Sequence, residues 1–331
     1  MHQTLLKAKV FITRRLPDID LDKLEQIAEV ETWNQTQEPP YSLLLEKAKK
    51  IDGLLCLLTD RIDKQLIETA TSLKVISQMA VGYDNIDIAA ATARGIPIGN
   101  TPGVLTNATA DLTWALLMAA ARRIVEAERF VRTGHWQTWS PTLLLGADLS
   151  GSTLGIIGFG RIGQAVARRA KGFELRLLYY SRQRRERELE RAMEIEYAEL
   201  DTLLQESDFI TLHASLTPDT YHLMGDRQFA LMKSSAILIN TARGSMVDSE
   251  ALFRALSTGQ IAGAALDVTE PEPLPPSSPL LELDHVIITP HIGSASKQTR
   301  TKMAQMAVDN LIAGLQGEKL PNCVNGEIYQ S

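Results

Sequence analysis

Residues 154–163, LGIIGFGRIG, constrain this chain more than any other stretch. Leu154, Ile156 and Ile157 form a short apolar run of strand type, and a helical pattern runs from Gln164 to Lys171. Between them stands Gly158-x-Gly160-x-x-Gly163, so the glycines occupy the strand–turn–helix context that a dinucleotide fingerprint requires. Gly158 permits the tight turn, Gly160 lets the backbone approach a pyrophosphate, and Gly163 lets the helix pack close to the strand. The phosphates then meet free N–H groups and the positive end of a helix dipole. A glycine-rich packing turn without a ligand is the plain alternative.

The end of the next strand narrows the cofactor. Leu175 to Tyr180 (LRLLYY) reads as that strand. NAD-preferring sites usually carry an acid near its end, about 20 residues beyond the glycines, to bind the ribose hydroxyls. Here the position holds Ser181, followed by Arg182, Gln183, Arg184 and Arg185. A carboxylate would repel a 2′-phosphate, whereas a hydroxyl and a guanidinium hold one by charge-assisted bonds. The run RQRRERELER also reads as a solvated helix face with Arg/Glu pairs at helical spacing, and Arg187 and Arg191 are assigned to it. For Ser181 and Arg182 the expectation is NADPH, with NADH possible.

With 331 residues the chain is long enough for two domains with separate cores. A net charge of −6 leaves no electrostatic footprint for nucleic acid. No apolar run reaches a bilayer-spanning length, and the N-terminus MHQTLLKAKV lacks the apolar stretch of a signal peptide. Cys56 and Cys323 lack metal-type spacing, so no metal is expected, and two isolated cysteines suit reduced thiols in the cytoplasm.

The first hundred residues alternate short apolar runs with helical stretches. Residues 9–13, 53–58 and 73–79 read as strands, and 20–29 and 41–50 as helices. This is an α/β unit without a glycine fingerprint, and it is assigned to substrate binding. The turn residues GNTPG, 99–103, mark a boundary. An Ala/Leu-rich helix is expected from Thr109 to Val131, then the fingerprint, then strands at 209–212, 236–239 and 286–288. A helical pattern from Thr289 to Gly314 carries the chain back. The expected division is 1–100 plus 291–331 for the substrate-binding domain and 101–290 for the dinucleotide-binding domain.

Three polar features each close a predicted strand. Arg243 follows 236–239 in NTARGSMVD, and His291 follows 286–288 in TPHIGSA. Asp267 ends a strand in LDVTEPEPL, with Glu272 in the proline-rich loop beyond it. The prolines of 270–279 exclude regular helix and central strand there. Ligands of open α/β sheets lie outside the carboxyl ends of strands, where these side chains can converge. Their chemistry suits reduction of a 2-oxo acid. Arg243 can grip the carboxylate and polarise the oxo group, and His291 can protonate the developing alkoxide. Glu272, bonded to His291, would fix the ring and favour imidazolium. Singly, each has a plain alternative, a surface ion pair for the arginine and a helix cap for the histidine. His213 is read as a wall of the cofactor pocket, and His135 and His222 as solvated. Trp136 and Trp139 suit a dimer contact, a substrate wall or core packing.

In order, the motifs GFGRIG, HASLTPDT, NTARGSMVD, LDVTEPEPL and TPHIGSA resemble the D-isomer-specific 2-hydroxyacid dehydrogenase family. AVGYDNIDI and TPGVLTNATADLTWALLMAAARRI extend the match over nearly the whole chain. Through GHWQTWSP, YYSR and LDVTEPEPL it is most similar to that family's glyoxylate/hydroxypyruvate reductases. The resemblance implies two Rossmann-like/flavodoxin-like parallel-sheet domains with an interdomain cleft. It implies Arg243, Glu272 and His291 as the catalytic residues, with the amides of Val81 and Gly82 holding the substrate carboxylate beside Arg243 and His291. Implied cofactor contacts are Thr109, Phe159, Gly160, Arg161, Ile162, Ser181, Arg182, Ser215, Thr241, Asp267 and Gly293. A homodimer is implied as well, with the long helix and the loop around Trp139 near the partner. Some relatives read HLPLTP where this chain has HASLTP, which bears on contacts at Ser215.

The combined expectation is NADPH-preferring reduction of small 2-oxo acids, glyoxylate and hydroxypyruvate, to glycolate and D-glycerate, with His291 as proton donor. The alternatives are another specificity within the family, or a non-catalytic protein of the same fold that senses NAD(P)(H).

Overall fold

The computed structural model describes residues 7–17 and 19–330, so most of the N-terminal stretch read for a signal peptide lies outside the described residues. The described chain divides into two compact units, one running up to Leu105 and resuming at Ala295, the other spanning Thr106–Ser294.

The first unit holds strands β1 (Ala8–Ile12), β2 (Ala28–Thr32), β3 (Gly53–Cys56), β4 (Val75–Gln78) and β5 (Ile98–Gly99). All are parallel, in the order β2-β1-β3-β4-β5. Its strands read as apolar runs because both faces are covered. Phe11, Leu54 and Ile76 point into one layer, and Val10, Ile12, Leu55 and Val75 into the other, against Met303, Ala307 and Leu311 of the helix Lys297–Leu315. The helix expected over 20–29 stops at Ile27, and Ala28–Thr32 (AEVET) extends into a strand beside β1. Ala28 is buried while Glu29 and Glu31 are exposed, the period-two pattern of a sheet edge.

The second unit holds β6 (Thr153–Ile157), β7 (Arg176–Tyr180), β8 (Ile195–Tyr197), β9 (Phe209–Leu212), β10 (Ile237–Asn240), β11 (Gly263–Leu266) and β12 (Val286–Ile288). These are again parallel, ordered β12-β11-β10-β9-β6-β7-β8. The chain runs outward from β6 to β8 and then returns to the free side of β6 with β9. The order of winding therefore reverses between β6 and β9, where such sheets bind ligands.

Two expected helices differ. The one expected over 109–131 is two, Thr106–Ala121 and Ile124–Arg132, broken at Arg123, whose φ is +51°. The Arg123 guanidinium pairs with Glu126, and the Ala121 carbonyl accepts the Ala147 N–H at 2.8 Å. The return helix begins at Lys297, not Thr289, because Asp267 binds the preceding loop. The boundaries fall later than residues 101 and 291. Thr101 still bonds to Ala80, whereas Ile292 and Gly293 bond to Asp267. Among the described residues no helix is long and apolar enough to cross a membrane.

Candidate active site and dinucleotide cradle

The turn after β6 is shaped by absent side chains. Gly158 has φ +94°, and a Cβ there would strike the backbone of His213 and Ala214 at the end of β9. A Cβ on Gly163 would strike the Gly158 carbonyl, so this glycine lets the helix Arg161–Ala170 close on the turn. At Gly160, the residue that caps this helix, a Cβ would meet nothing within 4 Å. That open approach to a helix N-terminus, with the amides of Arg161 and Ile162 in its first turn, fits a pyrophosphate. Phe159 contributes backbone only: its ring is buried against Tyr179, with centroids 4.4 Å apart.

His213 lies beside this turn, its N–H bonded to the Ile157 carbonyl at 2.7 Å. Neither ring nitrogen has a partner among the described residues. Burial pushes the imidazole down to about 3, so it is neutral at physiological pH. Ser215 is exposed, with its carbonyl held by the Thr220 hydroxyl. At the end of β7 the Ser181 hydroxyl donates to the Gln183 carbonyl at 2.6 Å, and Arg182 is exposed.

The ends of β10, β11 and β12 carry the remaining candidates. Arg243 follows β10, and one of its guanidinium nitrogens donates to the Ala242 carbonyl at 2.8 Å. Asp267, buried just after β11, accepts from the Thr289 hydroxyl and the amides of Ile292 and Gly293 at 2.6–2.8 Å. It thereby ties down the segment that contains His291, which sits at φ +52°. The His291 Nδ1 lies 2.6 Å from Glu272 Oε1, leaving Nε2 as the ring's other polar atom. A Cβ on Gly293 would lie 3.2 Å from Asp267 Oδ2 and 3.5 Å from the Thr109 side chain, so this glycine permits the loop's close approach to both. The Thr241 hydroxyl is 2.9 Å from that of Thr113, so it is engaged within the unit.

In the first unit the carbonyls of Val81 and Gly82 are taken, by the Asn100 amide at 2.9 Å and the Gln78 amide at 2.5 Å. Asn85 exchanges hydrogen bonds with Gln78 and donates to the carbonyls of Leu57 and Asp60. Neither Gln78 nor Asn85 carries a signal of its own in the sequence, although Asn85 stands within AVGYDNIDI.

His222 is not a solvated loop residue. Its Nε2 lies 2.5 Å from Glu270 Oε2, and its ring stacks on Tyr221 at 4.0 Å. The loop that presents Glu272 to His291 is thus gripped two residues earlier by a second imidazole. His135 is exposed, and among the described residues its ring bonds only to the nearby Thr133 hydroxyl. Trp136 and Trp139 are 59% and 78% exposed, which removes core packing as their role.

The model of the D-isomer specific 2-hydroxyacid dehydrogenase NAD-binding domain matches residues 114–293. The chain is similar to the glyoxylate reductase of Korarchaeum cryptofilum, 52% identical with 98% of each protein covered. It is similar in structure to the TT0316 protein of Thermus thermophilus, with TM-score 0.90, 48% identity and coverage of 96% of this chain and 99% of that one. It is also similar to the NADPH-dependent glyoxylate/hydroxypyruvate reductase of Sinorhizobium meliloti, solved with NADP and malonate, with TM-score 0.83, 30% identity and 97% of each chain covered.

Proposed function

The chain belongs to the D-isomer-specific 2-hydroxyacid dehydrogenase family, and from that footing we propose an NADPH-preferring reductase of glyoxylate and hydroxypyruvate with His291 as proton donor. It is an NAD(P)-dependent oxidoreductase of CH–OH donors, acting on glyoxylate-type 2-oxo acids. The finer reading is carried by the pairing of His291 with Glu272 at the strand ends of the unit that also bears the glycine cradle.

When bound, the reduced nicotinamide supplies a hydride to the oxo carbon. Glu272 accepts at Nδ1 of His291, which directs the transferable proton to Nε2, where it passes to the alkoxide oxygen. The Arg243 guanidinium offsets the substrate carboxylate and the charge that grows on the oxo oxygen. The family resemblance supports the amides of Val81 and Gly82 as further donors to the substrate carboxylate; their carbonyls are held within the first unit by Asn100 and Gln78. Glycolate and D-glycerate are the products. Preference for NADPH rests on Ser181 and Arg182 standing where a ribose-binding acid would repel a 2′-phosphate, and the NADPH-dependent relative supports it.

The enzyme works as a cytoplasmic homodimer in this reading. The helix Ile124–Arg132 buries none of its residues, and Ile124, Val125, Val131, Trp136, Trp139 and Leu145 are exposed. Apolar surface of that kind marks a protein interface.

The deciding measurement is steady-state oxidation of NADPH and NADH with glyoxylate, hydroxypyruvate, pyruvate and a bulkier 2-oxo acid. Turnover of the two small acids with NADPH in preference is expected. Tight cofactor binding without turnover would favour the sensor, and NADH preference would overturn the argument from Ser181 and Arg182.

A further inference from the structure

The loop that follows β7 is built around one buried carboxylate. Glu190, on the helix Arg187–Met193, is 7% exposed. Its Oε1 accepts from the Tyr179 hydroxyl at 2.7 Å and from Arg184 Nε at 2.8 Å, and its Oε2 accepts from Arg184 Nη2 at 2.8 Å. The Arg184 guanidinium also lies over the Tyr197 ring, 5.4 Å from its centroid. The Tyr179 hydroxyl in turn accepts the backbone N–H of Arg185 at 2.8 Å. The Arg185 guanidinium reaches across to the Phe159 carbonyl, inside the glycine-rich turn, at 3.1–3.2 Å. Arg184 and Arg185 are therefore tied into the protein, whereas Arg182 is exposed and makes no hydrogen bond or ion pair among the described residues.

We propose that Glu190 is a positioning residue for cofactor choice. Through Arg184, and through Tyr179 on the Arg185 amide, it holds residues 181–185 in the shape that leaves Ser181 and Arg182 to receive a 2′-phosphate. The proposal rests on the NADPH reading above. The Arg184 guanidinium bonded to Glu190 holds that carboxyl down at about 2, so the pair is ionised wherever the enzyme works. A loop ordered before binding does not have to lose that freedom on binding, and affinity rises accordingly. NADH lacks the 2′-phosphate and gains little from this order. The sign separates positioning from bare electrostatics: deleting a negative charge near a phosphate would by itself tighten its binding.

The test is calorimetric titration of the apo protein with adenosine 2′,5′-bisphosphate and with 5′-AMP, for wild type, Glu190→Gln, Tyr179→Phe and Arg182→Ala. Glu190→Gln should weaken bisphosphate binding by about tenfold, within the range for hydrogen bonds to a charged group, and scarcely change AMP. Tyr179→Phe removes one oxygen and should act in the same direction by less. It decides the matter should Glu190→Gln fail to fold by circular dichroism. Equal losses for both probes, or unchanged or tighter bisphosphate binding, would overturn the proposal. An effect of Arg182→Ala without one from Glu190→Gln defeats this inference alone. No effect of Arg182→Ala defeats the NADPH reading beneath it.

Discussion

Both units reverse their winding beside the strand that opens them, β3 returning to the free side of β1 and β9 to the free side of β6. The two reversal points are nevertheless opposites. At the first, the Thr13 hydroxyl donates to buried Asp60, which also accepts the Leu57 N–H at 2.7 Å and lies 3.8 Å from the Arg14 guanidinium. Side chains bridge the two strand ends. At the second, Gly158 lets the turn lie against the end of β9, and Gly160 leaves open space where a Cβ would meet nothing within 4 Å. The shared topology therefore yields a phosphate cradle only where Cβ atoms are missing. Where the turn carries side chains, they bind one another and hold backbone loops in place, as Asn85 and Gln78 do around Gly82.

The contrast sets the proposed proton donor and phosphate cradle at strand ends of the second unit against the buried Asp60 network at a strand end of the first. Its hardest test is His291→Ala, which should lower kcat by about 10²–10⁴-fold, the usual worth of a general acid, while leaving the dissociation constant of NADPH unchanged. Turnover within the wild-type range would remove His291 from its role. Gly160→Ala comes next. Its φ of −82° suits alanine, so thermal unfolding of the apo protein should not move, yet the added methyl should obstruct the pyrophosphate and weaken NADPH by more than about tenfold. Gly158→Ala should instead lower the melting temperature even without cofactor, because its Cβ strikes backbone. Identical behaviour of the two alanines would show that the turn does not divide its work between a fold glycine and a ligand glycine. In the first unit, Asp60→Ala strands the Thr13 hydroxyl and the Leu57 N–H and should destabilise by about 1–3 kcal/mol, with NADPH affinity unaltered.

What the sequence revealed divides along the same line. The glycine turn was legible because its constraint is a missing atom, which a sequence records directly. The strands β3, β6 and β9 were legible because parallel strands covered on both faces are continuous apolar runs. Pairing of Glu272 with His291 could be anticipated from chemistry, since a ring nitrogen needs a fixed partner for the other to deliver a proton. The helix break at Arg123 could not, because it involves no glycine or proline and depends on Glu126 and on Ala147, far along the chain. Edge strand β2 is not announced: the helix expected over 20–29 overlaps its first two residues, and two glutamates in AEVET disguise its alternation. Glu190 stands in ERELER, where every charge looks solvated until the fold brings Tyr179 beneath it. His222 and Glu270 are 48 residues apart, and nothing local announces their contact.

The smallest expected effect tests whether the two buried carboxylates, Asp60 and Glu190, differ in kind. Arg184 holds Glu190 at about 2, below the roughly 4.3 of an unfolded chain. Its contribution to stability is therefore present above pH ~4.3 and is lost as the pH falls toward about 2. Burial pushes Asp60 the other way, upward, because its hydrogen bonds and Arg14 do not offset lost hydration. Its contribution is complete below about pH 3.9 and fades as the pH rises through the raised folded-state value. Urea unfolding of wild type, Glu190→Gln and Asp60→Asn between pH 3 and 7 separates the two. The wild-type advantage over Glu190→Gln should shrink on acidification, and Asp60→Asn should gain on wild type as the pH rises. Neither slope can exceed about 1.4 kcal/mol per pH unit for one proton. The constant penalty of each amide does not enter, because only slopes are compared. Trp33 lies in the first unit and Trp114 in the second, so the same series in backgrounds that keep only one of the four tryptophans reads each slope where its carboxylate lies. Slopes of the same sign would mean that the clamp of the first unit carries its charge as comfortably as the Arg184-bound acid does, and that bridging two strand ends with side chains need not strain the group that bridges them.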